Sequence, residues 1–320
     1  MSMKNKVIFL MGPTAAGKTA AAFKLADNLN VRLISVDSAL IYKQMDIGTA
    51  KPTKQELAAY PHELVDIRQP QESYSVAEFI NDATHAIRDA HSKGQLPVLV
   101  GGTMLYFKGL LQGLAPTPTA NPEVRAKIQA EIQAKGIEFA HQWLAEVDPE
   151  SAERLHQRDQ QRIERALEIF LSTGEKMSSQ YKQDYFQKGW DKKCLEEHEW
   201  DILPIALAPP EKKQLHPLIE QRFENMISDG FLDEMDMLMS MDDMHEDLPS
   251  MRCVGYRQAW MYLKGETSYD QFMEQGKAAT RQLAKRQMTW LRNWTQLNWF
   301  DPFQEDCNDR LLELVQKHIN

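Results

Sequence analysis

Short, mostly apolar runs alternate along the chain with longer stretches in which apolar residues return every third or fourth position. The runs at 6–11, 32–36, 63–67, 96–100 and 202–208 have the length and flanking residues of buried strands. Between them, 19–29 and 75–93 carry the helical period. Ser75 opens the second of these with Glu78 three residues on, the pattern of a capping box, and Gly94 stands just past its end. Strands alternating with helices predict a parallel sheet.

The character changes after residue 116. The proline-rich stretch 116–122 reads as a linker, and charged helical patterns with almost no strand signal follow to about residue 200. The expected organisation is a core in two parts, 1–116 and 201–320, with an all-helical insertion, 117–200, between the fourth and fifth strands. Beyond Pro209 the pattern is again mostly helical.

The first apolar run leads straight into Gly12-Pro13-Thr14-Ala15-Ala16-Gly17-Lys18-Thr19, a complete G-x-x-x-x-G-K-[ST] sequence in strand–loop–helix context. Gly12 and Gly17 let the backbone curl until its N–H groups converge on one anion. The helix that follows adds the positive end of its dipole. Lys18 reaches the terminal phosphates, and Thr19 can ligate Mg²⁺. The expected fold is therefore α/β, a P-loop NTPase-like parallel sheet flanked by helices, and the expected ligand is a di- or triphosphate.

Ligands of such sheets bind beyond the C-terminal ends of the strands. Asp37 follows the second run and Gly101-Gly102-Thr103 follows the fourth, so a carboxylate and a hydroxyl are expected near the phosphate loop. Asp37 suits an N-cap, a general base or a carboxylate that orients Mg²⁺ through water. Thr103 suits a site hydroxyl or a tight turn. Arg222 suits a surface ion pair with Glu220 or Glu224 unless a phosphate lies near it.

The formal charge of the 320 residues is −9. Residues 229–247 hold eight carboxylates and no lysine or arginine, so the remainder carries −9 + 8 = −1. That acidic segment reads as a solvated helix face with its methionines turned inward. By contrast, 275–300 contains Lys277, Arg281, Lys285, Arg286 and Arg292 and no acid. Lys277, Arg281 and Lys285 share a helical face, which suggests an anionic polymer as partner. Trp290, Trp294 and Trp299 among them read as core. A weaker basic cluster, Arg154, Arg158, Arg162 and Arg165, is interrupted by Glu153, Asp159 and Glu164. Cys194, Cys253 and Cys307 lie far apart, the histidines show no metal spacing, and no apolar run reaches the ~20 residues of a membrane span. Free thiols and a cytoplasmic location are expected.

Four longer stretches together resemble the bacterial tRNA dimethylallyltransferases, that is, the tRNA isopentenyltransferases. They are the run from Asp37 to Pro52, the run from Gly101 to Gly113, the run from Arg252 to Gln258, and the run from Thr280 to Arg292. With the phosphate loop they stand in family order from residue 12 to residue 292. The resemblance implies transfer of a dimethylallyl group from dimethylallyl diphosphate to the exocyclic amine of the adenosine just 3′ of the anticodon. It implies that Asp37 is the general base, that Thr103 lies at the reacting adenine, and that Arg222 helps bind the diphosphate. Residues 12–19 would then hold dimethylallyl diphosphate rather than ATP. Contacts with the tRNA anticodon stem-loop are implied for Asp37, Ser38, Ala39, Leu40, Thr103 and Arg125. They are implied too for Gln161, Arg162, Ile163, Glu164 and Arg165, for Arg252, Cys253, Val254, Gly255, Tyr256 and Arg257, and for Arg281, Lys285 and Arg286. A monomer is expected. Apart from the resemblance, the chief rival is a small-molecule kinase using ATP in the same loop; it would have no need of the basic helix. A prenyltransferase acting on free adenine nucleotides and a non-catalytic nucleotide switch are further rivals.

Overall fold

In the computed structural model, which describes residues 5–113, 121–180 and 192–320, the sheet is organised around β1 (Lys6–Met11). Val7 to Met11 are wholly buried. Alternation along the strand turns Val7, Phe9 and Met11 to one face and Ile8 and Leu10 to the other. The first face packs on the helices Val76–Ser92 and Met104–Gln112; the second packs on α1 (Lys18–Asn28) and the helix Cys307–Ile319. Burial on both faces is why the strand reads as an unbroken apolar run. Each large side chain so buried contributes roughly 1.5–3 kcal/mol.

The other strands are β2 (Val31–Val36), β3 (His62–Glu63), β4 (Leu96–Gly101), β5 (Asp201–Leu207) and β6 (Asn298–Phe300). They line up as β3-β2-β4-β1-β5-β6, every pair parallel. Val36 lies opposite Gly101, Gly101 opposite Met11, and Met11 opposite Ala206. These strands therefore reach their C-terminal ends at one level.

Two details depart from the sequence pattern. The run 63–67 stays in the sheet only as far as Glu63, because Leu64 and Asp66 take left-handed φ values of 63° and 55°. Asp66 and Ile67 instead donate their N–H groups to the Leu40 and Ile41 carbonyls, so the run braces the loop after β2. At the other edge, β6 lies within a stretch whose pattern predicts helix. The helix Tyr269–Arg292 ends before it, and Trp299, expected in the core, is 45 % exposed on that edge strand. Trp294 is buried and Trp290 packs beside it, as expected.

The chain divides into two compact units, Met1–Gly113 with Gly189–Asn320, and Leu114–Lys188. The first holds the whole sheet. It also holds a helical core in which Phe231, Met235, Tyr256 and Phe272 pack with Ile41, Tyr42 and Met45 from the loop after β2. Here the acidic segment proves less solvated than its composition suggests. On the helix Phe231–Met239, Glu234 is buried with Met235, while Met237 is exposed.

The second unit is helical over its described residues, with Ile128, Leu144, Ile163, Leu167 and Ile169 at its centre. Residues 116–120 of the expected linker lie outside the described residues. Asn121 and Pro122 open a helix, Pro122–Lys135, as its N-cap and first residue.

Candidate active site

The phosphate loop leaves β1 at Gly12, whose N–H donates to the Gly101 carbonyl of the neighbouring strand at 3.3 Å. A Cβ on Gly12 would collide with the Leu207 carbonyl, and one on Gly101 with the Val36 carbonyl. Both glycines are required by close backbone approach. Gly17 is required for another reason: its φ is 78°. Ala15 also takes a left-handed φ, 64°, a conformation costly for a residue with a Cβ. The loop is held in that shape from behind. Ala16 packs on Leu215, Ile219 and Ala284.

Gly17 is the N-cap of α1 and offers no side-chain cap. The backbone N–H groups of Ala15, Gly17, Lys18 and Thr19 have no acceptor among the described residues. They form a cradle for an anion. Lys18 folds back over the loop, its ammonium donating to the Pro13 carbonyl at 2.7 Å. Burial pushes its pKa down from 10.5 to about 8; the Asp37 carboxylate opposes that shift and Arg222 adds to it. Lys18, Asp37 and Arg222 thus share one electrostatic neighbourhood.

Asp37 follows β2 at the level of Gly12. Two strand spacings separate them, roughly 10 Å. No helix begins at Asp37, so it is not a helix N-cap. Its Oδ1 accepts from the Ala39 N–H at 2.8 Å and, more loosely, from the Leu40 N–H at 3.4 Å, which fixes the carboxylate's direction. Thr103 joins this turn. Its Oγ1 accepts from the Ser38 N–H at 3.1 Å, and its own N–H donates to the Val36 carbonyl at 3.2 Å.

The partly buried Cys253 thiol lies within electrostatic reach of Asp37; burial, reinforced by the Asp37 charge, pushes it up to about 12. It stays a neutral thiol rather than a nucleophile. Burial likewise raises the Tyr106 hydroxyl, with Tyr42 and Asp37 adding to the shift.

Arg222 is not the surface ion pair its neighbours suggested. Glu220 binds Arg281 and Glu224 binds Lys277, both at 2.8 Å, so both acids are engaged by the long helix Tyr269–Arg292. Arg222 has no hydrogen bond or salt bridge among the described residues. Burial lowers its guanidinium pKa, and Asp37 partly offsets that.

The same ion pairs change the picture of the basic helix. Lys277 and Arg281 are neutralised within the protein; Lys285 and Arg286 are exposed and unpaired among the described residues.

Other expected contact residues are sorted by burial. Tyr256 is fully buried and donates its hydroxyl to Glu234 at 2.6 Å, and Ile163 is fully buried in the core of the helical unit. Neither side chain has surface to offer a polymer, so the contacts expected of these two residues would fall to their backbone and their exposed neighbours. Gly255 is buried with Tyr256, whereas Arg252 and Arg257 beside them are exposed and Val254 is partly so. In the helical unit Gln161 and Arg162 are exposed, and Arg162 pairs with Asp159 at 2.8 Å. Glu164 accepts from Gln160 at 2.6 Å. Arg125 and Arg165 both bind the buried Glu168, at 2.9 and 3.0 Å.

Three residues that shape the site were not singled out from the sequence. Glu234 accepts from the N–H groups of Asp46, Ile47 and Gly48 as well as from Tyr256. Lys51, buried, donates to Asp46, Asp66 and the Tyr42 carbonyl. Together they tie down the loop that begins at Asp37. The third, Gln287, connects the phosphate loop with β4.

The sequence profile of the IPP transferase family matches residues 40–294. The fold is similar to the tRNA isopentenylpyrophosphate transferase of Bacillus halodurans, with 32% identity over 99% of this chain and 97% of that one and a TM-score of 0.70. It is similar to the tRNA delta(2)-isopentenylpyrophosphate transferase of Staphylococcus epidermidis, with 31% identity over 99% of both chains and a TM-score of 0.69. A eukaryotic dimethylallyltransferase acting on tRNA matches 99% of this chain over 80% of its own, with 25% identity and a TM-score of 0.76. A phosphate loop, a carboxylate at the next strand end and these full-length likenesses agree: the chain belongs to the IPP transferase family, that of the tRNA isopentenyltransferases.

Proposed function

We propose that the protein transfers a dimethylallyl group from dimethylallyl diphosphate to the exocyclic amine of the adenosine 3′-adjacent to the anticodon in tRNA. One observation carries the reading. The common end of β1, β2 and β4 sets Asp37 within the electrostatic reach of Lys18 and Arg222, beside a loop whose N–H groups await an anion.

In this reading the adenosine leaves its stack, at a cost of a few kcal/mol, and its amine approaches Asp37. The amine is a poor nucleophile because its lone pair is delocalised into the ring. As the new C–N bond forms, Asp37 accepts the proton, an effect worth typically 10²–10⁴ in rate. The allylic C–O bond breaks at the same time, and negative charge grows on the departing diphosphate. The loop N–H groups, Lys18 and Arg222 stabilise that charge. Thr103 holds the Asp37 turn and presents its hydroxyl at the acceptor side. Water would quench the allylic fragment, so the buried Tyr106 and the partly buried Cys253, both within electrostatic reach of Asp37, serve to keep it out.

The chain's residues fit Mg²⁺. The Thr19 hydroxyl is exposed on the first turn of α1 and has no hydrogen-bond partner among the described residues, which also contain no cluster of three or more His, Cys, Asp or Glu that could hold a metal. One hydroxyl plus the substrate's own phosphates is how Mg²⁺ is commonly held. When bound it supplies positive charge to the leaving group. The test is incubation with Mg²⁺, unmodified tRNA and dimethylallyl diphosphate, followed by mass spectrometry of the RNA. One added prenyl group is expected; no addition, or phosphate transfer from ATP in its place, refutes the proposal.

A further inference from the structure

Gln287 is buried on the inner side of the long helix, next in sequence to the exposed Arg286. Its carboxamide Oε1 accepts from the Thr14 N–H of the phosphate loop at 2.9 Å. Its Nε2 donates to the Gly102 carbonyl beyond β4 at 3.0 Å. Donor and acceptor needs are both met in one amide orientation only. On the same helix Ala284, Met288 and Leu291 are buried, so an apolar residue would suit packing alone. A polar group here is explained by what it joins.

The connection runs further. Gly102 precedes Thr103, whose N–H donates to Val36 and whose Oγ1 accepts from Ser38, next to Asp37. A hydrogen-bonded path therefore leads from Thr14 through Gln287, Gly102, Thr103 and Ser38 to the Asp37 turn. One end is the anion cradle and the other is the carboxylate. Gly102 must be glycine for this to exist, because a Cβ there would collide with the Gln287 carboxamide. The bond to Thr14 also withdraws one N–H from the anion-facing set, leaving those nearer α1.

We infer that Gln287 is a positioning residue for prenyl transfer: it holds the diphosphate loop and the acceptor-side turn in register, so that the allylic carbon meets the amine at reacting distance. The inference rests on the proposed function. It assigns Gln287 no contact with the reacting atoms.

The test uses the full chain with Gln287→Met, which keeps the length of the side chain and removes both hydrogen bonds. Gly102→Ala is the second variant, because it displaces the carboxamide without touching its helix. Dimethylallyl diphosphate and tRNA affinities are measured separately, with single-turnover prenylation at saturating substrates and thermal unfolding. Expected are affinities within about threefold of wild type but a single-turnover rate lower by roughly 10–100-fold in both variants, the scale of an ångström-sized misplacement. Unchanged single-turnover rates overturn the inference. So does loss of thermal stability and of both affinities in step with rate, since the bridge would then serve folding alone. Wild-type protein that prenylates no tRNA refutes the proposed function itself, an outcome distinct from either.

Discussion

The charge of Lys18 should change within an accessible pH range. Burial lowers its pKa to about 8, against 10.5 for an ordinary lysine. In the proposed function the ammonium is the form that binds diphosphate, so affinity should be near full at pH 7 and decline as pH rises through about 8. At pH 9 about one protein in ten keeps the proton before binding, so the apparent Kd for dimethylallyl diphosphate should rise roughly tenfold between pH 7 and pH 9. The bound anion restores the proton. Calorimetry at pH 8.5 in buffers of different ionisation enthalpy should therefore detect uptake of roughly three-quarters of a proton per diphosphate bound. Two variants give the shift its sign. Arg222 pushes the Lys18 pKa down, so Arg222→Met moves the break to higher pH; Asp37 pulls it up, so Asp37→Asn moves it lower. Lys18→Arg, which cannot lose its charge in this range, should abolish the slope. A Kd that is flat from pH 7 to pH 9, or an equal slope in Lys18→Arg, would show that Lys18 is not the titrating group and that the desolvation argument fails.

Asp37→Asn keeps the Oδ1 acceptor for the Ala39 N–H, so the turn survives and both substrates still bind, while turnover falls by roughly 10²–10⁴; near-normal single-turnover rates would remove the carboxylate from the proton transfer. Glu234→Ala strips the acceptor from Asp46, Ile47, Gly48 and Tyr256, and at about 1 kcal/mol for each buried donor left unpaired the loss of stability should be near 4 kcal/mol by denaturant unfolding. A loss below about 1 kcal/mol would mean that water replaces the carboxylate. Lys285→Ala with Arg286→Ala should lower the salt slope of tRNA affinity by about 1.4 if both meet single-stranded phosphates. Lys277→Ala, whose cation is already bound to Glu224, should leave the slope unchanged, and equal effects from the two would break the distinction drawn between paired and free cations.

The parts of this architecture that could be read from the chain are those where one local rule decides. β1, β2, β4 and β5 are buried strands of a parallel sheet, and they show as apolar runs. The Ser75–Glu78 capping box was legible for the same reason and is present in both its hydrogen bonds. The phosphate loop needed only its own residues. What escaped was decided by distant partners. Nothing within 298–300 marks three residues as a strand until β5 lies beside them. Leu64 looks like its apolar neighbours, yet its φ of 63° ends β3. Glu234 sat in a run of acids that looked solvated, and its burial follows from three N–H groups almost two hundred positions earlier in the chain. Gln287 is a neutral amide among cations, so charge patterning passes over it. Motif membership also blurred two roles. Tyr256 lies in a stretch resembling the family's RNA-contact segment, but its ring belongs to the core, while Arg252 and Arg257 beside it are exposed and Cys253 and Val254 partly so.

The glycines at the strand ends limit how this enzyme can change. Where Gly12 and Gly101 pass against the carbonyls of Leu207 and Val36, main chain meets main chain, with no room for any side chain. Mutational libraries aimed at a longer prenyl donor should therefore find no viable solutions at those two positions. In the proposed function, variation in donor size would therefore have to come from other positions around the site, while these two glycines stay invariant across every active variant.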